Sequence, residues 1–127
     1  MGKRYLIDSN SVIDFLGGKL PEPGKQLMSS INPEISVITV IEIQSKKDIP
    51  EQEILLFSSF VNFSTVYSDI DEEITKTTIA IRKRYGLKTP DAIIAATAIV
   101  KNLILISRKE KDFCRINSLV LINPWNL

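Results

Sequence analysis

The stretch Leu87-Lys-Thr-Pro-Asp91-Ala-Ile-Ile-Ala-Ala-Thr-Ala-Ile-Val-Lys101 limits what this chain can fold into. From Ala92 to Val100 it is apolar on nearly every side of a helix. Such a helix belongs inside a core, and it is far too short to span a membrane. Thr89 can cap it, and Pro90 suits its first turn. At its mouth stands one carboxylate, Asp91, which must be solvated, paired or bound to a cation. Leu103–Ser107 follows as an apolar run typical of a buried parallel strand.

Short strands and helices alternate along the chain. Arg4–Asp8 reads as a first strand ending on a carboxylate. Ser9-Asn10-Ser11 offers caps for a short helix, Val12–Leu16, which Gly17-Gly18 stops. Leu20–Gly24 reads as a loop and Lys25–Ser30 as a short helix. Ile35–Ile38 reads as a second strand, followed by a helix from Thr39 to about Lys46. Pro50 begins another helix to about Phe60, and Phe63–Tyr67 resembles a third strand. Asp71–Tyr85 is a helix with Ile70, Ile74, Ile81 and Tyr85 on one face and Gly86 closing it. Asp112-Phe113 falls in a loop or short turn, Leu119–Ile122 is a last strand, and Asn123–Leu127 is a tail. Phe57, Phe60, Phe63 and Phe113 are expected in the core.

This alternation predicts an α/β fold with a mainly parallel sheet, and 127 residues without linker or repeat suit one domain over 1–127. At 44% hydrophobic and 24% charged the chain reads as globular and soluble, with no signal-like apolar segment at its start. Its one cysteine, Cys114, suits a reducing compartment. A net charge of +1 means that a nucleic-acid partner would need local basic clusters.

The chain has 0 histidines. That removes Ser-His-Asp and Cys-His catalysis and, with one cysteine, ordinary zinc sites. A metal here would be held by oxygen, which favours Mg²⁺, Mn²⁺ or Ca²⁺. Asp8, Glu42, Asp91 and Asp112 are the candidate ligands. Each also has an ordinary reading. Asp8 could be a turn or cap residue, and Thr39-x-x-Glu42 matches a capping box. Asp91 suits the helix dipole, and Asp112 could be a surface charge. Ligands in parallel sheets bind beyond the carboxyl ends of the strands. Simple winding is expected to gather Asp8, Glu42 and Asp112 there, with Asp91 at the opposite end unless its helix is bent back. Converging carboxylates commonly bind divalent cations that activate water for phosphoryl chemistry. Arg82-Lys-Arg84, Lys88, Lys46-Lys47 and Arg108-Lys109 with Lys111 and Arg115 supply basic clusters, read either as phosphate contacts or as solvated helix ends.

Leu6-Ile-Asp8-Ser-Asn10-Ser-Val-Ile13 resembles the opening strand and turn of PIN-domain nucleases. Ile38–Ile43, Thr89–Ala96 and Ile106–Phe113 resemble their next three acidic motifs, in order and over almost the whole chain. The small size is similar to VapC-type toxins of toxin–antitoxin pairs. The resemblance implies a three-layer α/β/α sandwich that brings all four acids together. It implies a cytoplasmic Mg²⁺- or Mn²⁺-dependent endoribonuclease acting on RNA, a cognate antitoxin, a homodimer and no membrane association. By that match Asp8 and Asp91 are central ligands, completed by Glu42 and Asp112. Asn10 and Ser107 would orient, and from the basic clusters Arg82, Arg84, Lys88 and Arg108 are the expected RNA contacts. The family usually shows Asn or Asp where this chain has Arg108, which opens the question of a second metal; Glu110 is a candidate replacement. A housekeeping RNA-processing nuclease and a catalytically silent binding protein are the alternatives.

Overall fold

Side chains alternate across a strand, so two consecutive apolar residues in a central strand demand cover on both faces. The computed structural model, which describes residues 2–127, meets that demand with a five-stranded parallel sheet. Its strands are β1 (Tyr5–Ile7), β2 (Glu34–Ser36), β3 (Thr65–Tyr67), β4 (Ile104–Ile106) and β5 (Leu121–Ile122), in the order β3-β2-β1-β4-β5. The helices are α1 (Ser9–Leu16), α2 (Glu22–Ser30), α3 (Val37–Gln44), α4 (Glu51–Phe63), α5 (Glu72–Tyr85), α6 (Thr89–Val100) and α7 (Glu110–Phe113).

Leu6 and Leu105 point into one core, with Ile74, Ile81, Ile94 and Phe113 from α5, α6 and α7. Ile7 and Ile106 point into the other, with Val12, Met28, Ile43 and Phe57 from α1 to α4. Each fully buried apolar side chain of this size contributes about 1.5–3 kcal/mol. The expected three-layer α/β/α sandwich is therefore present. Helix α6 is buried as its sequence requires, with Ala92, Ile94, Ala95, Ala96, Thr97 and Ala98 all inside. No helix among the described residues is long and apolar enough to cross a membrane.

Several boundaries differ from the sequence expectations. Asp8 itself caps α1, which begins at Ser9. Helix α2 takes in Glu22–Gly24, read as loop, because Pro23 fits its first turn. Lys88 precedes α6, so Thr89 lies inside the helix. Helix α4 runs on to Phe63, which is 75% exposed and not in the core. The last strand is only Leu121–Ile122.

Asp91 stands at the carboxyl end of the sheet, contrary to the simple-winding expectation and in line with the sandwich that the resemblance implied. A helix leading into a parallel strand runs opposite to that strand, so its first turn belongs at the carboxyl end. Leu103 N–H already donates to Ala98 O at 2.8 Å, which ties the end of α6 to the start of β4. Lys101 Nζ lies 4.0 Å from Asp71 Oδ2, which sets the start of α5 beside the end of α6.

The capping box is also absent. Ser36 caps α3, its Oγ accepting from Ile38 N–H at 3.0 Å, so Thr39 lies inside the helix. Thr39 is fully buried, and its Oγ1 has no hydrogen-bond partner among the described residues. A buried hydroxyl without a partner costs stability. Thr39→Val is therefore expected to raise stability by about 1 kcal/mol or more. A capping role would instead predict a loss of about 1 kcal/mol. The midpoint of urea unfolding distinguishes the two.

Candidate active site

The strand order reverses direction at β1 and β4, and the crevice beyond their carboxyl ends is where such sheets bind ligands. Asp8 follows β1 there and is 1% exposed. Its Oδ1 accepts from Ser9 N–H at 2.8 Å as the cap of α1. Its Oδ2 accepts from Ser107 Oγ at 2.8 Å and Asn10 Nδ2 at 3.0 Å. Ser107 directly follows β4, and Asp8 N–H donates to Ile106 O at 2.9 Å, so both strands carry this carboxylate. Asn10 Oδ1 in turn accepts from Arg108 N–H at 3.2 Å. Burial pushes the Asp8 carboxyl above the usual aspartate value; the Ser107 and Ser9 bonds and the Lys109 charge offset this only in part.

Glu42, on α3, is exposed and accepts a short hydrogen bond from Ser9 Oγ. Asp8, Asn10, Glu42, Arg108 and Lys109 line a hollow of about 320 Å³. Asp91, Asp112, Lys88, Lys109 and Arg115 line a second, of about 280 Å³. Lys109 belongs to both. Its Nζ lies 3.1 and 3.3 Å from the two Asp91 oxygens. Burial opposes the Lys109 charge, but the Asp91 hydrogen bond and the charges of Asp91, Asp8 and Glu42 outweigh it and raise the ammonium above the usual lysine value.

The four sequence-predicted acids thus line two hollows that share Lys109, Asp8 and Glu42 on one and Asp91 and the exposed Asp112 on the other, and it is Asp91 that bonds its ammonium. Among the described residues no three acids stand close enough to hold one metal ion as they are. The donors are nonetheless all carboxylate oxygen, and the point between them already draws a cation of the protein's own. Both observations suit a hard divalent ion. A larger hollow, about 430 Å³, lies beside Arg4 and Glu34, but there the buried Glu34 is closed by Arg4 at 2.7 Å and by the Tyr67 hydroxyl. Size does not mark the functional site here.

The PIN domain family profile matches residues 5–119. The chain belongs to the PIN-domain family. Among solved structures, a toxin–antitoxin complex from Klebsiella pneumoniae is 30% identical, with 97% of this chain and 99% of that chain covered and a TM-score of 0.79. DNA-bound VapBC from Salmonella typhimurium is 22% identical over 97% and 99%, with a TM-score of 0.82. VapBC2 from Rickettsia felis, bound to a promoter DNA fragment, is 24% identical over 94% and 97%, with a TM-score of 0.77. No curated protein sequence matches the chain.

The basic residues of this PIN domain fall into different roles. Arg82 Nε donates to Leu87 O at 3.2 Å and so braces the turn into α6. Arg84 lies 5.6 Å over the Tyr85 ring. Lys88 faces the Asp91 hollow. Arg108 Nη1 bonds both oxygens of Asp14 at 3.2 and 3.0 Å. Asp14 is 4% exposed and also accepts from the Trp125 indole N–H at 2.9 Å. Glu110 is held by Asn123 and Asn126 of the tail. Sequence reasoning missed Asp14, whose signal was an acid inside the apolar run Val12–Leu16. It took Lys109 only as one of a basic cluster.

The raised Asp8 carboxyl has a pH signature. Its contribution to stability is fully present below the ordinary value of 3.8 and is lost as pH rises through the higher folded value. Asp8→Asn stays uncharged and keeps a good cap. In metal-free buffer it is expected to melt above wild type at pH 7, and the gap should close below that ordinary value. A variant melting below wild type at pH 7 contradicts this.

Proposed function

We propose that this PIN domain is the toxin of a toxin–antitoxin pair, an Mg²⁺- or Mn²⁺-dependent endoribonuclease that hydrolyses RNA phosphodiester bonds. The observation that carries the reading is a pair of carboxylate-lined hollows, Asp8 with Glu42 and Asp91 with Asp112, that share Lys109 near the β1–β4 crevice. Similarity along nearly the full length to a toxin–antitoxin complex supports the biological setting.

In this reading Asp8 and Asp91 hold the metal, with Glu42 and Asp112 completing its surroundings directly or through water. The bound dication supplies charge stabilisation and an acidified water. Asn10 and Ser107 fix the direction of the Asp8 carboxylate through their two bonds to Oδ2. Glu42 is free enough at the surface to meet a substrate or a water proton. Lys88, which borders the Asp91 hollow, and Arg84, near the end of the preceding helix, are the proposed RNA-backbone contacts, while Arg82 and Arg108 commit at least one donor to the protein itself.

A protein partner is supported by apolar side chains left uncovered on α3 and α4: Ile41, Ile54, Leu55, Leu56 and Phe63 are 43–75% exposed. Exposed apolar groups gathered on one part of a surface commonly mark an interface. We assign that role to the cognate antitoxin, with homodimerisation through another face, and a cytoplasmic setting. Co-expression with a neighbouring small reading frame and co-purification test the pairing, and a lone gene favours the housekeeping nuclease instead.

Asp8→Asn and Asp91→Asn are each expected to lower divalent-dependent RNA cleavage by ~100-fold or more, since losing a partner one shell further out already costs ~10–100-fold. Glu42→Gln keeps its Ser9 bond, so stability should stay within error while cleavage falls. Wild-type activity in any of the three removes that residue from the site. Wild type without divalent-dependent cleavage favours the silent binding protein.

The RNA flank has its own test. Replacing Arg84 and Lys88 together by Ala should make the salt dependence of RNA binding shallower, by up to ~0.7 for each phosphate no longer neutralised. Divalent affinity should change little. An unaltered slope puts the RNA on the Arg115 side.

A further inference from the structure

We propose that Lys109 is a resident counter-cation of the active site, whose ammonium must leave Asp91 before a divalent ion can bind. This rests on the metal reading above. The geometry is specific. Nζ meets both oxygens of Asp91, at 3.1 and 3.3 Å, and the same side chain forms a wall of the Asp8–Glu42 hollow. Among the described residues, Lys109 is the one cation bordering both halves of the acid set.

Its backbone is fixed by the site itself. Lys109 N–H donates to Ser107 Oγ at 3.1 Å, and that hydroxyl donates to Asp8. The attachment point therefore cannot drift from the acids. The side chain can, because it is 41% exposed and ends a flexible four-carbon stem. Neighbouring Arg108 differs: it also lines the Asp8–Glu42 hollow, but its guanidinium is committed to the buried Asp14. Lysine suits the role better than arginine, since it is a compact charge without a planar fork that would lock onto the carboxylate. An ammonium and a dication on one carboxylate repel each other strongly at such short range. Metal loading must then displace Lys109 outward, and until that happens Asp91 is occupied by an internal cation. The metal-free protein is closed by its own side chain.

Isothermal titration calorimetry of the metal-free full chain with Mg²⁺ and Mn²⁺ tests this. Lys109→Met and Lys109→Gln are expected to bind both ions ~10-fold or more tightly than wild type, because the competing like charge is gone. Lys109→Arg, which keeps the charge, should bind no more tightly than wild type. In thermal melts, Mg²⁺ should raise the midpoint of Lys109→Met by more than that of wild type. Equal or weaker affinity in both neutral variants overturns the proposal and leaves the metal reading standing. No divalent binding by wild type or either neutral variant overturns the metal reading, and this proposal with it.

Discussion

A carboxylate buried at the joint of two parallel strands is the constraint on which the rest depends. Asp8 is 1% exposed, and an ionised group in such a place is tolerated only with strong compensation. The compensation comes from three donors on three residues, Ser9, Asn10 and Ser107, and from the ammonium of Lys109 nearby. Meeting those demands fixes much of the architecture. The chain must turn into α1 directly after β1, because Asp8 is also its cap. Strand β4 must lie beside β1, because Ser107 has to reach Asp8. A two-sided core is then required, since Leu6 and Ile7 face opposite helical layers.

The second requirement is that Asp91 arrive at the same end. Helix α6 does this by running against β4, with α5 packed along it. The small residues Ala92, Ala95, Ala96 and Ala98 bury that helix close to its neighbours. Its first turn is held at the crevice by an almost wholly apolar body with nowhere else to go. A candidate metal ligand is placed by packing that has nothing to do with its charge.

These facts decide what the sequence could disclose. The all-round apolar run of Ala92–Val100 was legible because no other burial state suits it. The Asp8, Asn10 and Ser107 set was legible through its likeness to PIN motifs. The start of α3 was not, because Ser36 and Thr39 are both cap-forming and only tertiary burial chose between them. Phe63 misled because an aromatic beside β-branched residues resembles a strand, whereas it ends α4 at the surface. The position of Asp91 was misjudged through the winding rule, not through the residues. The pairing of Lys109 with Asp91 joins loop and helix across space, and no local pattern in either announces it.

The departure at Arg108 from the usual acidic-motif pattern follows from the same logic. An added cation beside a metal site would weaken metal binding if its charge faced the acids. Here the charge is paired, because Asp14 lies buried in α1 with Arg108 Nη1 at 3.0 Å and the Trp125 indole at 2.9 Å. A buried carboxylate stripped of such partners would be costly, so Arg108, Asp14 and the tail form one unit. That unit pins the loop after β4 while leaving Lys109, the next residue, as the cation that faces inward. Two adjacent positive residues thus divide the work: one stabilises the loop, and the other pairs with Asp91. Of the pair it is Lys109 that bonds a candidate ligand, although residue 108 is where the sequence looks most unusual.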